Sequence, residues 1–346
     1  MTKLQDIQRE GGAIFTDLDS TPESFNNDSE AITAARETAA IYDRTHWGLI
    51  QVTGGDRQRF LHNQTTNDFN KLKSGEGCET VFVTSTARTI DLVTAYVQED
   101  RILLLVSPSR QEQLLAWMDR FLFPMDKVEL ANISSKYAIF SLFGAKTPNL
   151  LAEWLEEEIL CQPEGNHLAM EIENINLFLG VGNGLALPGY NLIIPQEKAG
   201  EIWQILTAKG ALPMGNKAYE KLRILQGRPK PDAELTEDYN PLEVGLWQTI
   251  SFEKGCYIGQ ETIARLNTYQ GIKQKLWGIR VNQPVMPGAI VTVAGVKVGV
   301  ITSYTDTENG GLALGYIRTK AGDVGLKVEI EEAKGEVVKL PFVTHQ

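Results

Sequence analysis

The chain has 346 residues, 42% of them hydrophobic and 22% charged, with a formal net charge of −11. At roughly 100–200 residues per domain, this length suits two or three globular domains that need no disulfide or metal staples. The acidic balance argues against a dedicated nucleic-acid binder, which carries a basic face, and no basic run is long enough for a polybasic membrane anchor.

Cys78, Cys161 and Cys256 are odd in number and none lies in a CxxC pair. That is no disulfide framework, so a reducing compartment is expected. His46, His62, His167 and His345 are scattered without ligand spacing, and no metal site is expected. The N-terminus lacks the apolar core of a secretory signal, and no apolar run approaches the roughly 18 residues of a membrane span. The expectation is a soluble, cytoplasmic protein.

In chain order, the first 27 residues are set apart as an N-terminal extension, and the polar stretch 17–29 reads as a surface loop. Asn27, Asp28 or Ser29 then caps a helix in which Ile32, Ala35 and Ala39 recur at helical spacing. "GLIQVTGGD" reads as a strand, and Asp56 caps a short helix carrying Phe60 and Leu61. Strands "ETVFVTS", "TIDLVTAYV" and "RILLLVS" follow. Ser107 and Pro108 open a helix whose buried stripe is Leu114, Leu115, Met118, Phe121 and Leu122. "KYAIFSLFG" is a strand, and Thr147–Pro148 opens the next helix. The alternation continues through "YNLIIP", a helix over 197–208 and "NKAYEKLRILQG". Residues 28–271 are therefore assigned to one α+β region.

After residue 272 the pattern changes. "KLWGIRV", "AIVTVAG", "VKVGVITSYT", "GLALGYIR" and "GLKVEIE" are short strands between turn residues, which predicts a small β-barrel over 272–346. "AGV" between two valine-rich runs predicts a tight hairpin.

The chemistry concentrates in "FEKGCYIGQE", Phe252 to Glu261. Gly255 and Gly259 permit unusual backbone angles, and "GQETIARL" reads as a helix start. Cys256 then lies just ahead of a helix N-terminus, where the partial positive charge favours a thiolate. Lys254 is a nearby cation that would add to this effect. The other reading of Cys256 is a small buried hydrophobe, and on these residues alone both stand. Asp91, an acid inside an apolar strand, is either paired and functional or solvent-facing on an amphipathic strand. Arg223 suits carboxylate binding or pairs at the surface with Glu220. Glu234 and Glu243 read as loop charges. No dinucleotide fingerprint, phosphate loop or G-x-S-x-G turn occurs.

"KGCYIGQE" resembles the signature of the YgfZ family, relatives of the glycine-cleavage T-protein. "LIQVTGGDRQRFLHNQTTND", "GALPMGNKAYEKLRILQGRPKPDAEL" and the barrel stretch "PGAIVTVAGVKVGVITSYT" are similar to further segments of the T-protein family. The resemblance runs over nearly the whole chain from about residue 28. It implies a GcvT-like folate-binding fold, with interwoven α+β parts in a ring and a C-terminal barrel.

The resemblance further implies tetrahydrofolate, or a one-carbon derivative of it, as cofactor. It implies a role in supporting iron–sulfur client proteins such as tRNA-methylthiolating enzymes, with Cys256 as the residue on which that role depends. Asp91 joins Cys256 as a candidate catalytic residue. Candidate folate contacts are Asp91, Tyr96, Arg223, Tyr239, Lys254, Tyr257, Gln260 and Glu261. Departures from the T-protein pattern favour the YgfZ branch: Asp91–Leu92 retains one acid of a pair, Arg223–Ile224–Leu225 lacks a following acid, and "YIGQE" replaces a pattern like "FIGKE". Two other activities stay open, folate-dependent aminomethyl transfer and thiol-based sulfur or redox transfer.

Overall fold

A computed structural model of the chain describes residues 3–16, 20–155, 159, 161–269, 271–308 and 310–345. Part of the polar stretch read as a loop, residues 17–19, lies outside these. Two compact units divide the chain: Met1–Phe60, Phe69–Glu79 and Val93–Glu220 form one; Leu61–Asp68, Thr80–Leu92 and Lys221–Gln346 form the other.

The elements begin with α1 (Lys3–Glu10), α2 (Asp28–Glu37), β1 (Ala40–Asp43), β2 (Gly48–Thr53) and α3 (Arg57–Gln64). Next come β3 (Gly77–Val83), β4 (Thr89–Val97), β5 (Arg101–Val106), α4 (Gln111–Asp119), β6 (Glu129–Asn132), β7 (Tyr137–Phe143) and α5 (Thr147–Leu151). They are followed by β8 (His167–Ile172), β9 (Ile175–Val181), β10 (Gly189–Pro195), α6 (Ala199–Ala208), β11 (Leu212–Met214) and α7 (Asn216–Gln226). The last are α8 (Pro241–Val244), α9 (Gln260–Thr268), β12 (Gln274–Val281), β13 (Ile290–Val293), β14 (Val296–Thr307), β15 (Gly310–Arg318), β16 (Lys327–Ile330) and β17 (Ala333–Val338).

The first unit is built on a six-stranded sheet in the order β11-β1-β7-β10-β9-β8. Its pairs are antiparallel except β1 with β11. Phe140, Leu142, Leu179, Leu192 and Ile194 alternate onto one face of this sheet and bury against Ile202, Trp203 and Leu206 of α6. The 27 residues read as an extension contain α1, which packs on α6; a Cβ on Gly200 would stand 2.7 Å from Ile7 Cδ1, so the helices meet at a glycine. Helix α4 starts at Gln111, later than Ser107–Pro108 suggested, because Ser109 takes a left-handed φ of 62° that no helix accommodates.

A second sheet runs β3-β4-β5-β2-β6. The division between units falls inside β3 and β4, so Asp91 and Leu92 count with the second unit and Tyr96 with the first.

In the second unit, β12-β15-β14-β13-β16-β17 close into a six-stranded barrel, because β17 pairs back onto β12. Trp277, Ile279, Val291, Ile301, Ile317, Ile330 and Val337 fill it. Val293 pairs with Val296, and Ala294 (φ 50°) and Gly295 (φ 76°) make the two-residue turn expected from "AGV". No helix among the described residues is long and apolar enough to cross a membrane.

Candidate functional site

All but one of the residues singled out from the sequence fall in the second unit. The exception is Tyr96. Its ring is fully buried in the first unit's core against His167 and Phe178, and its hydroxyl meets the Asn191 amide at 3.1 Å. Burial pushes that phenol up to about 12. Tyr96 is thus a core residue whose polar tip is already satisfied, in place of the stacking surface expected of it.

Cys256 is a free, exposed thiol, which removes the reading of it as a buried filler. It sits in the short loop ahead of α9, four residues before the first helical position, as the sequence suggested. The two glycines of the loop differ. Gly259 caps α9 in the left-handed region (φ 82°), and a Cβ there would stand 2.9 Å from the Thr84 carbonyl. Only glycine fits. Gly255 has no such angle and lies beside open space, where the one atom near a built Cβ is His62 Nε2 at 4.0 Å. Gln260 is half-buried and Glu261 exposed in the first turn of α9, and neither side chain is hydrogen-bonded among the described residues.

Lys254 does not behave as the sequence suggested. It is buried, and its ammonium donates to the carbonyls of His62 (2.5 Å), Thr65 (2.8 Å) and Asn67 (2.6 Å). These are the last turn of α3 and the residues just beyond it. A cation there satisfies orphan carbonyls and the negative end of the helix dipole. An ammonium has three N–H donors, and three carbonyls receive them, so Lys254 works first as a clamp between two chain segments. Tyr257 lies under it, with the ammonium 4.6 Å from the ring centroid. The ring packs with Ala87, Leu242, Ile250 and Ile263, and burial raises its phenol to about 12.

His62 faces the same clamp from its own side chain. It is 6% exposed, and its Nδ1 is 3.1 Å from Asp68 Oδ1. Burial is the main cause holding the imidazole below its ordinary value of 6.5, Lys254 adds to it, and Asp68 opposes. Neither residue was selected from the sequence. The signal available was "FLHNQTTND", a histidine and an aspartate within one resemblance segment.

Arg223 is also no surface residue. It is 2% exposed and bonds the Glu234 carboxylate at 3.2 Å, the Arg228 carbonyl at 2.7 Å and the Ser303 hydroxyl at 3.0 Å. Glu234, read as a loop charge, is fully buried and further accepts from Ser303 Oγ at 2.7 Å and the Lys230 amide at 3.1 Å. The arginine head is therefore committed inside the fold, in place of a surface position or an open anion site. The Tyr316 hydroxyl donates to the Glu234 carbonyl at 2.7 Å. Tyr239 stacks on Tyr316 with centroids 3.4 Å apart and planes 9° from parallel. Burial first, then Asp238, Glu243 and Glu234, raise the Tyr239 phenol.

Glu243 is likewise no free loop charge. It closes a capping box with Asn240 at the start of α8, and burial raises its carboxyl above its ordinary value. Asp91 is fully buried in β4, all of whose residues are buried, and the Leu92 amide donates to its Oδ1 at 2.9 Å. The solvent-facing alternative for Asp91 is excluded. The second unit thus brings Arg223, Glu234, Tyr316 and Tyr239 into one network, and Lys254, Tyr257, His62 and Asp68 into another beside the Cys256 loop.

Among known proteins, the solved aminomethyltransferase T of the glycine cleavage system from Bartonella henselae superposes with a TM-score of 0.86 over 99% of this chain and 98% of that one, at 20% identity. The chain therefore has the GcvT-like aminomethyltransferase fold, ending in a closed six-stranded barrel. The model of the GCVT N-terminal domain matches residues 5–254. A chloroplastic Arabidopsis thaliana protein, provisionally named a transferase, is 42% identical over 346 residues, covering 99% of this chain and 80% of the relative. An aminomethyltransferase of Halalkalibacterium halodurans is 28% identical over 360 residues, covering 99% and 97%. This chain belongs to the GCVT N-terminal domain family.

Proposed function

We propose that this protein binds tetrahydrofolate, or a one-carbon derivative of it, and supports iron–sulfur client enzymes in the manner of the YgfZ branch, with Cys256 as its working thiol. The observation that carries the reading is the exposed free cysteine at the centre of "KGCYIGQE", held between a clamped Lys254 and a glycine-capped helix. A thiol kept exposed by so much fixed backbone is poorly explained by packing. Asp91, Tyr239, Tyr257, Gln260 and Glu261 remain the proposed folate-facing set. Arg223 and Lys254 contribute to it as scaffold, since their donors are engaged. The cytoplasm, as a reducing compartment, fits the free state of Cys78, Cys161 and Cys256.

Family membership favours a second reading, aminomethyl transfer to folate, because a relative covering nearly the whole chain is named an aminomethyltransferase. Isothermal titration with tetrahydrofolate, followed by turnover with an aminomethyl-lipoyl donor, separates the two. Binding without methylene-tetrahydrofolate formation is expected; turnover selects the transferase, and absence of binding overturns both. Complementation of a YgfZ-deficient cell, read as tRNA methylthiolation, tests the client role. Equal rescue by wild type and Cys256→Ala removes the cysteine from it.

A further inference from the structure

We propose that Tyr239 is a gate: it covers the face of Tyr316 and swings off when a flat, amino-bearing nitrogen heterocycle takes its place. This deepens the proposed function and rests on it, since the pterin end of a folate is such a ring.

The geometry of the stack comes first. The two rings lie 3.4 Å apart, centroid to centroid, with planes 9° from parallel. At that separation they are face to face with almost no lateral offset. Both phenol faces carry the negative side of the ring quadrupole, so such pairs prefer offset or edge-on arrangements. A nitrogen heterocycle has an electron-poorer face and is the better partner for Tyr316 in this arrangement. Tyr316 itself is a fixed floor: it is 1% exposed, and its hydroxyl donates to the Glu234 carbonyl at 2.7 Å.

Tyr239 is built to move where Tyr316 is not. Its side chain is half-buried, and its hydroxyl is neither buried nor hydrogen-bonded among the described residues. Its backbone is fixed: the amide donates to the Thr236 carbonyl at 3.1 Å, and the carbonyl accepts from the Thr89 amide at 2.9 Å. The next residue, Asn240, caps α8. The ring therefore leaves Tyr316 by rotating between side-chain rotamers, without a loop movement. The rim of the stack supplies the recognition. Glu234 and Glu243 both act on the phenols of Tyr239 and Tyr316. Glu234 is engaged by Arg223, Ser303 and the Lys230 amide. Glu243 accepts from the Asn240 and Lys273 amides. A carboxylate has about four acceptor sites, and those left on Glu243 suit the amino and ring N–H groups of the heterocycle. An uncovered Tyr316 exposes apolar surface to water, so the closed form dominates until a ring replaces Tyr239. That closed fraction lowers the apparent affinity for the ring.

The test is titration of the full chain with pterin, the bare ring, and separately with tetrahydrofolate, read by fluorescence. Tyr239→Ala, with unchanged circular dichroism, is expected to bind pterin roughly tenfold more tightly than wild type, because the closed form is gone. Adding Tyr316→Leu should abolish that gain. Equal pterin affinity in wild type and Tyr239→Ala overturns the gate, and weaker binding by Tyr239→Ala overturns it in favour of a direct Tyr239 contact. Pterin binding by neither protein also overturns it. Should a variant not fold, 3-fluorotyrosine placed at position 239 of the otherwise unaltered chain decides by fluorine NMR. A resonance moved by pterin supports the gate, and an unmoved one refutes it. Failed tetrahydrofolate binding by wild type, with pterin still taken more tightly by Tyr239→Ala, counts against the folate reading alone. Tetrahydrofolate bound equally by both, with no gain for pterin, counts against the gate alone.

Discussion

The ammonium of Lys254 donates a hydrogen bond to the backbone carbonyl of His62, a residue 192 positions earlier in the chain. With the bonds to Thr65 and Asn67, this ties the cysteine loop to the end of α3. Lys254→Met removes all three donors and leaves buried carbonyls behind. A loss of about 2–4 kcal/mol is expected in urea unfolding, at 1–3 kcal/mol per orphaned group with partial relaxation. Lys254→Arg should recover little, because a planar guanidinium does not reproduce three converging N–H bonds.

Breaking the buried pair between Arg223 and Glu234 has a different signature. Arg223→Met strands a carboxylate with no exposure, at an expected cost of about 3–5 kcal/mol. Adding Glu234→Gln should return part of that loss, since the uncompensated charge is then gone. A double mutant no better than Arg223→Met in urea unfolding contradicts the pairing as the source of the cost.

Gly259→Ala places a side chain at φ 82° and 2.9 Å from the Thr84 carbonyl. The expected destabilisation is about 1–3 kcal/mol. Gly255→Ala meets open space at an ordinary backbone angle and should unfold within about 0.5 kcal/mol of wild type. Equal thermal midpoints for the two variants would count against the different roles assigned to these glycines.

His345 provides the acid sensitivity. Burial pushes its imidazole from 6.5 down to about 4, while its Nε2 lies 2.7 Å from the Leu276 carbonyl. The unfolded chain binds this proton more readily than the folded one between those values, so stability is full above pH 6.5 and drains as pH falls toward 4. Buried Asp43 and Glu243 are raised above their ordinary values and tilt the other way in part of that window. The comparison therefore needs His345→Gln, whose unfolding midpoint should change less with pH over the same range.

The barrel was legible because its strands are short, valine-rich and separated by turn residues. Only β17 went unrecognised: "AKGEVV" has a lysine, a glycine and a glutamate where alternation was sought, and pairing with β12 and β16 decides it. The site was legible less evenly. The helix after Cys256 follows from local chemistry at Gly259, but the exposure of the thiol does not, since a buried and an exposed cysteine both suited those residues. The fates of Lys254, Arg223 and Glu234 do not, since each is set by a partner brought in by folding. A charged residue in a motif does not reveal whether its charge faces a ligand or a carbonyl. Tyr96 failed for the converse reason: an aromatic in an apolar strand is first of all core, and nothing local marks its hydroxyl as already satisfied by Asn191.

The division of the chain has a consequence for biosynthesis. Residues 61–68 and 80–92 belong with a unit whose remainder begins at Lys221, roughly 130 residues after Leu92. During translation these two segments leave the ribosome long before the lysine that will grip one of them exists. A chain halted before Lys254 leaves the carbonyls of His62, Thr65 and Asn67 without the ammonium that binds them in the finished fold. Neither unit can be cut out as one continuous fragment. Expression of isolated halves should yield material that aggregates, and completion of the cysteine loop is among the later events in making this protein.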